Sequence, residues 1–135
     1  MKTKSELPVC PVATAVELIG GKWKLLILRN LRTRPWRFNE LQKDLEGISQ
    51  KVLTDSLRQM IDDGLVFRHD YHETPLRVEY GLTELGREIL PILDALADFG
   101  NYYKTTILIF RYNNNFQFII QKSLDISNSF DILVA

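Results

Sequence analysis

The stretch from Asn39 to Asp63 constrains this chain more than any other part of it. Asn39 is a good N-cap, and Gln42 stands three residues later as in a capping box. Leu41 and Leu45 then face inward, and Glu46-Gly47-Ile48 makes a tight turn. Ser49 caps a second helix, predicted to run to about Asp63, and Gly64 stops it. On that helix Leu53, Leu57, Met60 and Ile61 recur at three- and four-residue spacing. Its opposite face carries Gln50, Lys51, Thr54, Asp55 and Arg58. Two short helices joined by a three-residue turn with a glycine predict a helix-turn-helix. A helix that reads base edges needs a core-held apolar back and a polar front of donors, and this one has both. An ordinary αα-hairpin with a solvated face is the plainer reading of the same pattern.

The segment that follows favours the first reading. Leu65-Val66-Phe67-Arg68-His69 is rich in β-formers, Asp70 to Pro75 is a polar turn, and Leu76 to Tyr80 alternates apolar and charged residues. A lone hairpin must pack on something. A hairpin directly after a helix-turn-helix is the winged-helix order, with Arg77 and His72 as basic tip residues for phosphate contacts, which position rather than specify. Upstream, Pro11 at a first helical position makes Cys10 the cap of a helix to about Ile19. Gly20-Gly21 ends it, and a buried helix runs from about Lys22 to Leu31. Downstream, Thr83 caps a last helix with Gly86 inside it and Pro91 interrupting one backbone hydrogen bond. Its broad stripe of Leu82, Leu85, Ile89, Leu93, Leu96 and Tyr103 exceeds what one small core covers. That points to a homodimer interface, the alternative being a tail folded over it. The expected fold is mainly α with a small β-hairpin (α+β): a winged helix-turn-helix with N- and C-terminal dimerisation helices. It spans residues 8–103, and 104–135 form a C-terminal tail of unknown role. Around Asn113-Asn114-Asn115 that tail reads as a hairpin or as a continued helix.

Composition narrows the class. The 135 residues, 15.7 kDa in all, suffice for one domain with a real core. No apolar run approaches the roughly 20 residues of a membrane span, and Met1 to Leu7 show no secretory pattern. A single cysteine, Cys10, makes no internal disulfide, so a cytoplasmic location is the default. Seventeen basic residues balance seventeen acidic ones, but unevenly. From Lys22 to Arg58 nine basic residues meet four acidic, a net of +5; from Asp62 to Asp98 three meet nine, a net of −6. Such asymmetry suits a face for a polyanion, although a chance distribution over helical surfaces does as well. There is no phosphate loop, nucleophile elbow or zinc motif, so no enzyme and no cofactor is expected. His69 and His72 in a hairpin point to different faces with no third ligand, so no metal site is expected either.

Several segments carry a family resemblance. Cys10-Pro11-Val12, Leu18-Ile19-Gly20-Gly21-Lys22-Trp23-Lys24-Leu25-Leu26-Ile27-Leu28, Arg37-Phe38-Asn39-Glu40-Leu41, and Gly47-Ile48-Ser49-Gln50-Lys51-Val52-Leu53-Thr54 all resemble HxlR-type regulators, a winged-helix group related to MarR. So do Leu57-Arg58, Asp63-Gly64-Leu65-Val66, Arg77-Val78-Glu79-Tyr80 and Leu82-Thr83-Glu84-Leu85-Gly86. They come in the family's order and cover about residues 8–103. The resemblance implies a bacterial homodimeric transcription factor on a palindromic operator in double-stranded DNA. It also implies electrophile or oxidant sensing at Cys10, the role of the family's Cys-Pro pair in several members. The tail after about Lys104 departs from the family, and His72 stands where its wing usually has Pro.

On this reading Ser49, Gln50, Lys51, Thr54 and Arg58 face the major groove. Gln50 suits adenine, and Arg58 or Lys51 suits guanine or phosphate. Asp55 could accept from cytosine or simply stabilise its helix. Asn39 and the wing's Arg77 join the DNA-binding set, and Lys22, Lys24, Arg32, Arg34 and Arg37 are candidate phosphate contacts. At a helix N-terminus the macrodipole favours a thiolate, which makes Cys10 a candidate nucleophile and redox sensor. Any disulfide it formed would join two subunits. The alternative is a buried, inert Cys10, the common fate of a free cysteine. A winged-helix protein-interaction module that never touches DNA is the competing function.

Overall fold

The computed structural model describes residues 3–107. The chain divides into two compact units, one reaching Asp94 and the other starting at Ala95. After a short 3-10 turn, Lys4–Glu6, the first unit runs α1 (Pro11–Ile19), α2 (Lys22–Asn30), β1 (Trp36–Arg37), α3 (Phe38–Asp44), α4 (Gln50–Asp62), β2 (Val66–Asp70), β3 (Val78–Leu82) and α5 (Glu84–Arg87). Helical backbone then covers residues 90–94 in the first unit and 95–107 in the second. Among the described residues no helix is long and apolar enough to cross a membrane. The expected hairpin around Asn113-Asn114-Asn115 lies outside the described residues, whereas residues 104–107 are helical.

The core assembles from the periodic positions. Ile27 and Leu28 of α2, Leu41 of α3, Leu53, Leu57 and Met60 of α4 and Val66 of β2 are essentially sealed from solvent. A core Leu such as Leu57 is held by close packing on every side, so truncating it to Ala costs about 2–5 kcal/mol. A polar clasp joins the first two helices of this core: buried Asn30 donates from Nδ2 to Asp44 Oδ2 at 2.6 Å and accepts from Arg29 at 2.9 and 3.1 Å. Buried amides require such partners.

Three strands, not two, form the antiparallel sheet, in the order β1-β3-β2. The added strand β1 pairs Trp36 with Tyr80 and Arg37 with Glu79. Two residues are too short for alternation to register, so the sequence pattern predicts only the hairpin β2–β3. This pairing also moves the start of α3. Arg37 is held extended by the sheet, and its N–H donates to the Glu40 carboxylate at 2.8 Å. The helix therefore begins at Phe38 with Arg37 as its cap residue. Asn39 lies inside the first turn and is not the N-cap, a correction to the sequence reading.

The other caps form as expected. Ser49 Oγ accepts from Val52 N at 3.2 Å, and Thr83 Oγ1 accepts from Gly86 N at 2.9 Å. Gly47 has φ +86°, the left-handed conformation that lets α3 turn into α4 at once. The C-terminal helix is not continuous from Thr83. After α5, Glu88 N and Ile89 N reach back only three residues, to the carbonyls of Leu85 and Gly86, and helix resumes at residue 90. Pro91 falls in the first turn of that new helix, where a missing N–H leaves no bond unmade. It helps start a helix rather than interrupting one.

Candidate nucleic-acid interface

Helix α4 sorts its residues by face. Leu53, Ser56, Leu57 and Met60 are buried, while Gln50, Lys51, Thr54 and Arg58 are exposed. The Lys51 side chain is 88% accessible and only loosely paired with Asp55 at 3.8 Å. Arg58 makes no ion pair among the described residues. Thr54 is partly committed, because its hydroxyl donates to the Gln50 carbonyl at 2.8 Å. It presents an oxygen lone pair and a methyl group outward. Ser49 spends its oxygen on the cap and keeps its hydroxyl proton to donate. The cap fixes the first turn, where side chains meet base edges in a bound helix.

The basic run upstream is less free than its composition suggests. Arg32 pairs with Asp94 at 2.7 Å, and Arg34 pairs with Glu40 at 3.1 Å while lying over Trp36 at 4.3 Å. Lys24 donates to the Leu18 carbonyl, and Lys22 sits over Trp23 at 4.2 Å. The hydrogen bond from Arg34 and the Arg37 N–H hold the Glu40 carboxyl below its usual range. Arg37 itself is exposed, beside exposed Asn39 at the mouth of α3.

The wing is a self-paired network. Arg77 donates from Nε and Nη2 to Glu79 Oε1, each at 3.0 Å, and stacks on the Tyr71 ring at 4.0 Å. Tyr71 donates its hydroxyl proton to Glu79 Oε2 at 3.0 Å, which raises the phenol above its ordinary value. Burial alone would push the Glu79 carboxyl up, but the bonds from Tyr71 and Arg77 outweigh it and leave it low. Arg77 is thus tied down inside the hairpin rather than extended at its tip. The tip itself carries His72 at φ +51°, with its N–H donating to Asp70 Oδ1 at 2.9 Å. Proline, locked near φ −65°, cannot take that conformation. The loop therefore turns differently from one with Pro at this position.

Cys10 stands immediately before α1 and is exposed. It is not buried, as the alternative reading of this cysteine had it.

An apolar-backed, capped helix with a donor face, set beside a three-stranded wing, defines a winged helix-turn-helix protein. The chain matches the HxlR-like helix-turn-helix family over residues 18–107, and it belongs to that family. A curated relative in Methanothermobacter thermautotrophicus, an uncharacterized HTH-type transcriptional regulator, is 46% identical over 95 residues, 70% of this chain and 72% of that protein. Among solved structures, the redox regulator HypR in its reduced form superposes with a TM-score of 0.68 at 38% identity, covering 70% of this chain and 94% of that one. The reduced form of YodB from Bacillus subtilis gives a TM-score of 0.62 at 32% identity, covering 70% and 93%. The protein is a transcriptional regulator of the helix-turn-helix type and not an enzyme.

Sequence reasoning missed the residues that flank α4 from other segments. Phe38, Arg68 and Tyr80 come from α3, β2 and β3 and share a cleft with Gln50, Thr54 and Arg58. Nothing local in the sequence joins them. Only the strand register, which sets Arg68 opposite Tyr80, brings them together.

Proposed function

We propose that the protein binds DNA sequence-specifically as a homodimer on a palindromic operator and reports electrophiles or oxidants through Cys10. The observation that carries the reading is the division of α4, with Leu53, Leu57 and Met60 sealed behind and Gln50, Lys51, Thr54 and Arg58 open in front. Gln50 suits adenine through a bidentate amide pair, and Lys51 and Arg58 suit guanine or phosphate. Ser49, Arg37 and Asn39 extend the contact along one side. Arg77 acts by holding the wing in shape, and phosphate contact would fall to its Nη1, which stands 4.0 Å from Glu73.

Two such heads must be joined about one helical turn apart, ~34 Å, to read a two-fold operator. Exposed apolar residues support a second copy as the joining element. Val12 and Val16 lie on α1, Leu85 and Ile92 lie later in the first unit, and Leu96, Phe99 and Tyr103 lie in the second. Residues this apolar stay in water only at a cost of about 25 cal/mol per Å². Exposed Cys10, immediately before α1, belongs to the same apolar neighbourhood of the sequence. The name of HypR, a redox regulator, and the reduced form in which the transcriptional regulator YodB was solved support sensing there. A gel-shift on the DNA preceding the protein's own gene, run at two salt concentrations and repeated after a diamide pulse, tests the whole reading. Retarded DNA that is released by diamide is the expected result. No retardation at low salt would remove DNA from the account.

A further inference from the structure

The wing hairpin carries more negative than positive charge. From Arg68 to Glu79 two arginines, Arg68 and Arg77, meet three carboxylates, Asp70, Glu73 and Glu79, a net of −1 with both histidines neutral. Both arginines are engaged. Arg77 is bonded to Glu79 at 3.0 Å and lies 4.0 Å from Glu73, and Arg68 lies 3.6 Å from Asp70. Such a surface repels phosphate unless a further positive charge is added to it. Histidine is the side chain that ordinarily adds one between about pH 8 and pH 5. The two histidines of the wing are placed differently. His69 meets the Tyr71 ring edge-on at 4.4 Å and stands opposite Glu79 in the strand register. His72 stands at the tip with its side chain 87% accessible. Its backbone N–H donates to Asp70 Oδ1 at 2.9 Å, which holds the Asp70 carboxyl below its usual range. Its ring is not spent in the same way, because Nδ1 lies 3.6 Å from that oxygen, beyond hydrogen-bond length. The backbone anchors the tip and leaves the imidazole open.

We propose that His72 is a proton-dependent phosphate contact, so that this wing engages operator DNA when its tip imidazole takes up a proton. The inference rests on the DNA reading proposed above and adds to it the condition under which the wing takes part. A protonated imidazole donates from both nitrogens and brings the net charge of the hairpin from −1 to zero. A phosphate beside it favours the charged form, so binding takes up a proton. Affinity therefore rises as pH falls through the range in which imidazole titrates, and it is level above that range. Asp70, held ionised by the His72 N–H and facing Arg68, keeps its charge across this interval, as do Arg68 and Arg77. Glu73, next along the loop, is a carboxylate and ionised there too. The change in charge at the tip thus comes from the imidazole.

The test is fluorescence anisotropy of labelled DNA from in front of the protein's own gene, titrated with the full chain at about pH 6 and about pH 8. Binding should be about tenfold tighter at the lower pH for the two tips of a dimer. The salt slope should be steeper there by about 1.8, the increment for two added phosphate contacts. His72→Asn, whose side chain tolerates the left-handed backbone but carries no proton charge, should bring the affinity and slope at the lower pH down to the values at the higher one. His72→Lys, charged at both pH values, should bind with the steep slope at both, and it serves if His72→Asn fails to fold. His69→Gln should keep the pH response. An affinity that is level across pH, or a response that survives in His72→Asn, overturns the contact and leaves the DNA reading standing. A response lost in His69→Gln but kept in His72→Asn assigns the proton to His69 and overturns it equally. Absence of DNA binding at either pH would refute the proposed function and this contact with it.

Discussion

Replacing Gly86 with Ala should destabilise the fold even though it exchanges a poor helix former for the best one. Gly86 is buried inside α5, and its N–H is bonded to the Thr83 hydroxyl at 2.9 Å. A Cβ built there runs into the Leu65 carbonyl oxygen and crowds the carbon behind it. Leu65 cannot retreat. Its N–H donates to the Met60 carbonyl at 2.9 Å, its carbonyl accepts from Thr83 N at 3.1 Å, and its side chain is buried. The helix-propensity gain is at most about 1 kcal/mol, and less in a four-residue helix. Forcing backbone apart in a packed site costs roughly 1–3 kcal/mol, and here both partners are backbone, so the upper part of that range applies. A net loss of about 1–2 kcal/mol would lower the melting temperature by roughly 5–15 °C for a domain of this size. Thermal and urea unfolding at one fixed protomer concentration would measure it, with an unchanged urea m-value showing that stability alone has moved. DNA affinity of the folded variant should stay within about threefold, because α4 is untouched. A variant as stable as the parent would refute the packing assigned to this corner.

Three further outcomes are expected. Ser49→Ala removes the cap of α4 and should cost about 1 kcal/mol by chemical denaturation; an unchanged midpoint would show that the bond to Val52 contributes nothing. The Glu79 carboxyl is held below its ordinary value near 4.5. Its contribution is therefore complete above that pH and disappears as pH falls through the lower, folded value. An acid titration of Glu79→Gln followed by Tyr71 fluorescence should lack this component, and an identical acid limb in both proteins would count against the network. Cys10→Ser should keep DNA affinity but lose the response to diamide, and a variant that still responds would place the sensor elsewhere.

Much of this protein is legible residue by residue, and the misses share a cause. Pro11, Ser49, Gly64 and Thr83 act within four residues of themselves, so their caps and stops follow from local chemistry. The buried set of α4 follows from its three- and four-residue spacing. Asn39 fails as a cap because a distant strand, β3, captures Arg37 and fixes where the helix must start. Arg77 reads as a free basic tip, yet it bonds Glu79 two residues on, and the hairpin brings Tyr71 across to it, with Tyr71 N donating to its carbonyl and the ring stacked on its guanidinium. The basic run from Lys22 to Arg37 likewise looks like a phosphate strip, yet Arg32 is paired with Asp94, sixty-two residues on. The cleft beside α4 was invisible for the same reason: its cations and rings come from four separate elements. Local rules find which helix has an apolar back and a polar front; tertiary pairing decides which of the nearby charges stay unpaired.

The most direct test of the central claim is the salt dependence of operator binding by fluorescence anisotropy. Arg37, Lys51 and Arg58 are exposed without a close carboxylate, so a dimer offers about six cations to phosphate and base edges. At about 0.9 of a counterion per contact, log Kd should rise with log salt at a slope near 5, about a thousandfold between 50 and 200 mM. Arg58→Met, which removes two contacts per dimer, should reduce that slope to about 3.6. A slope near zero, or one indifferent to Lys51 and Arg58, would show that the front of α4 does not meet DNA.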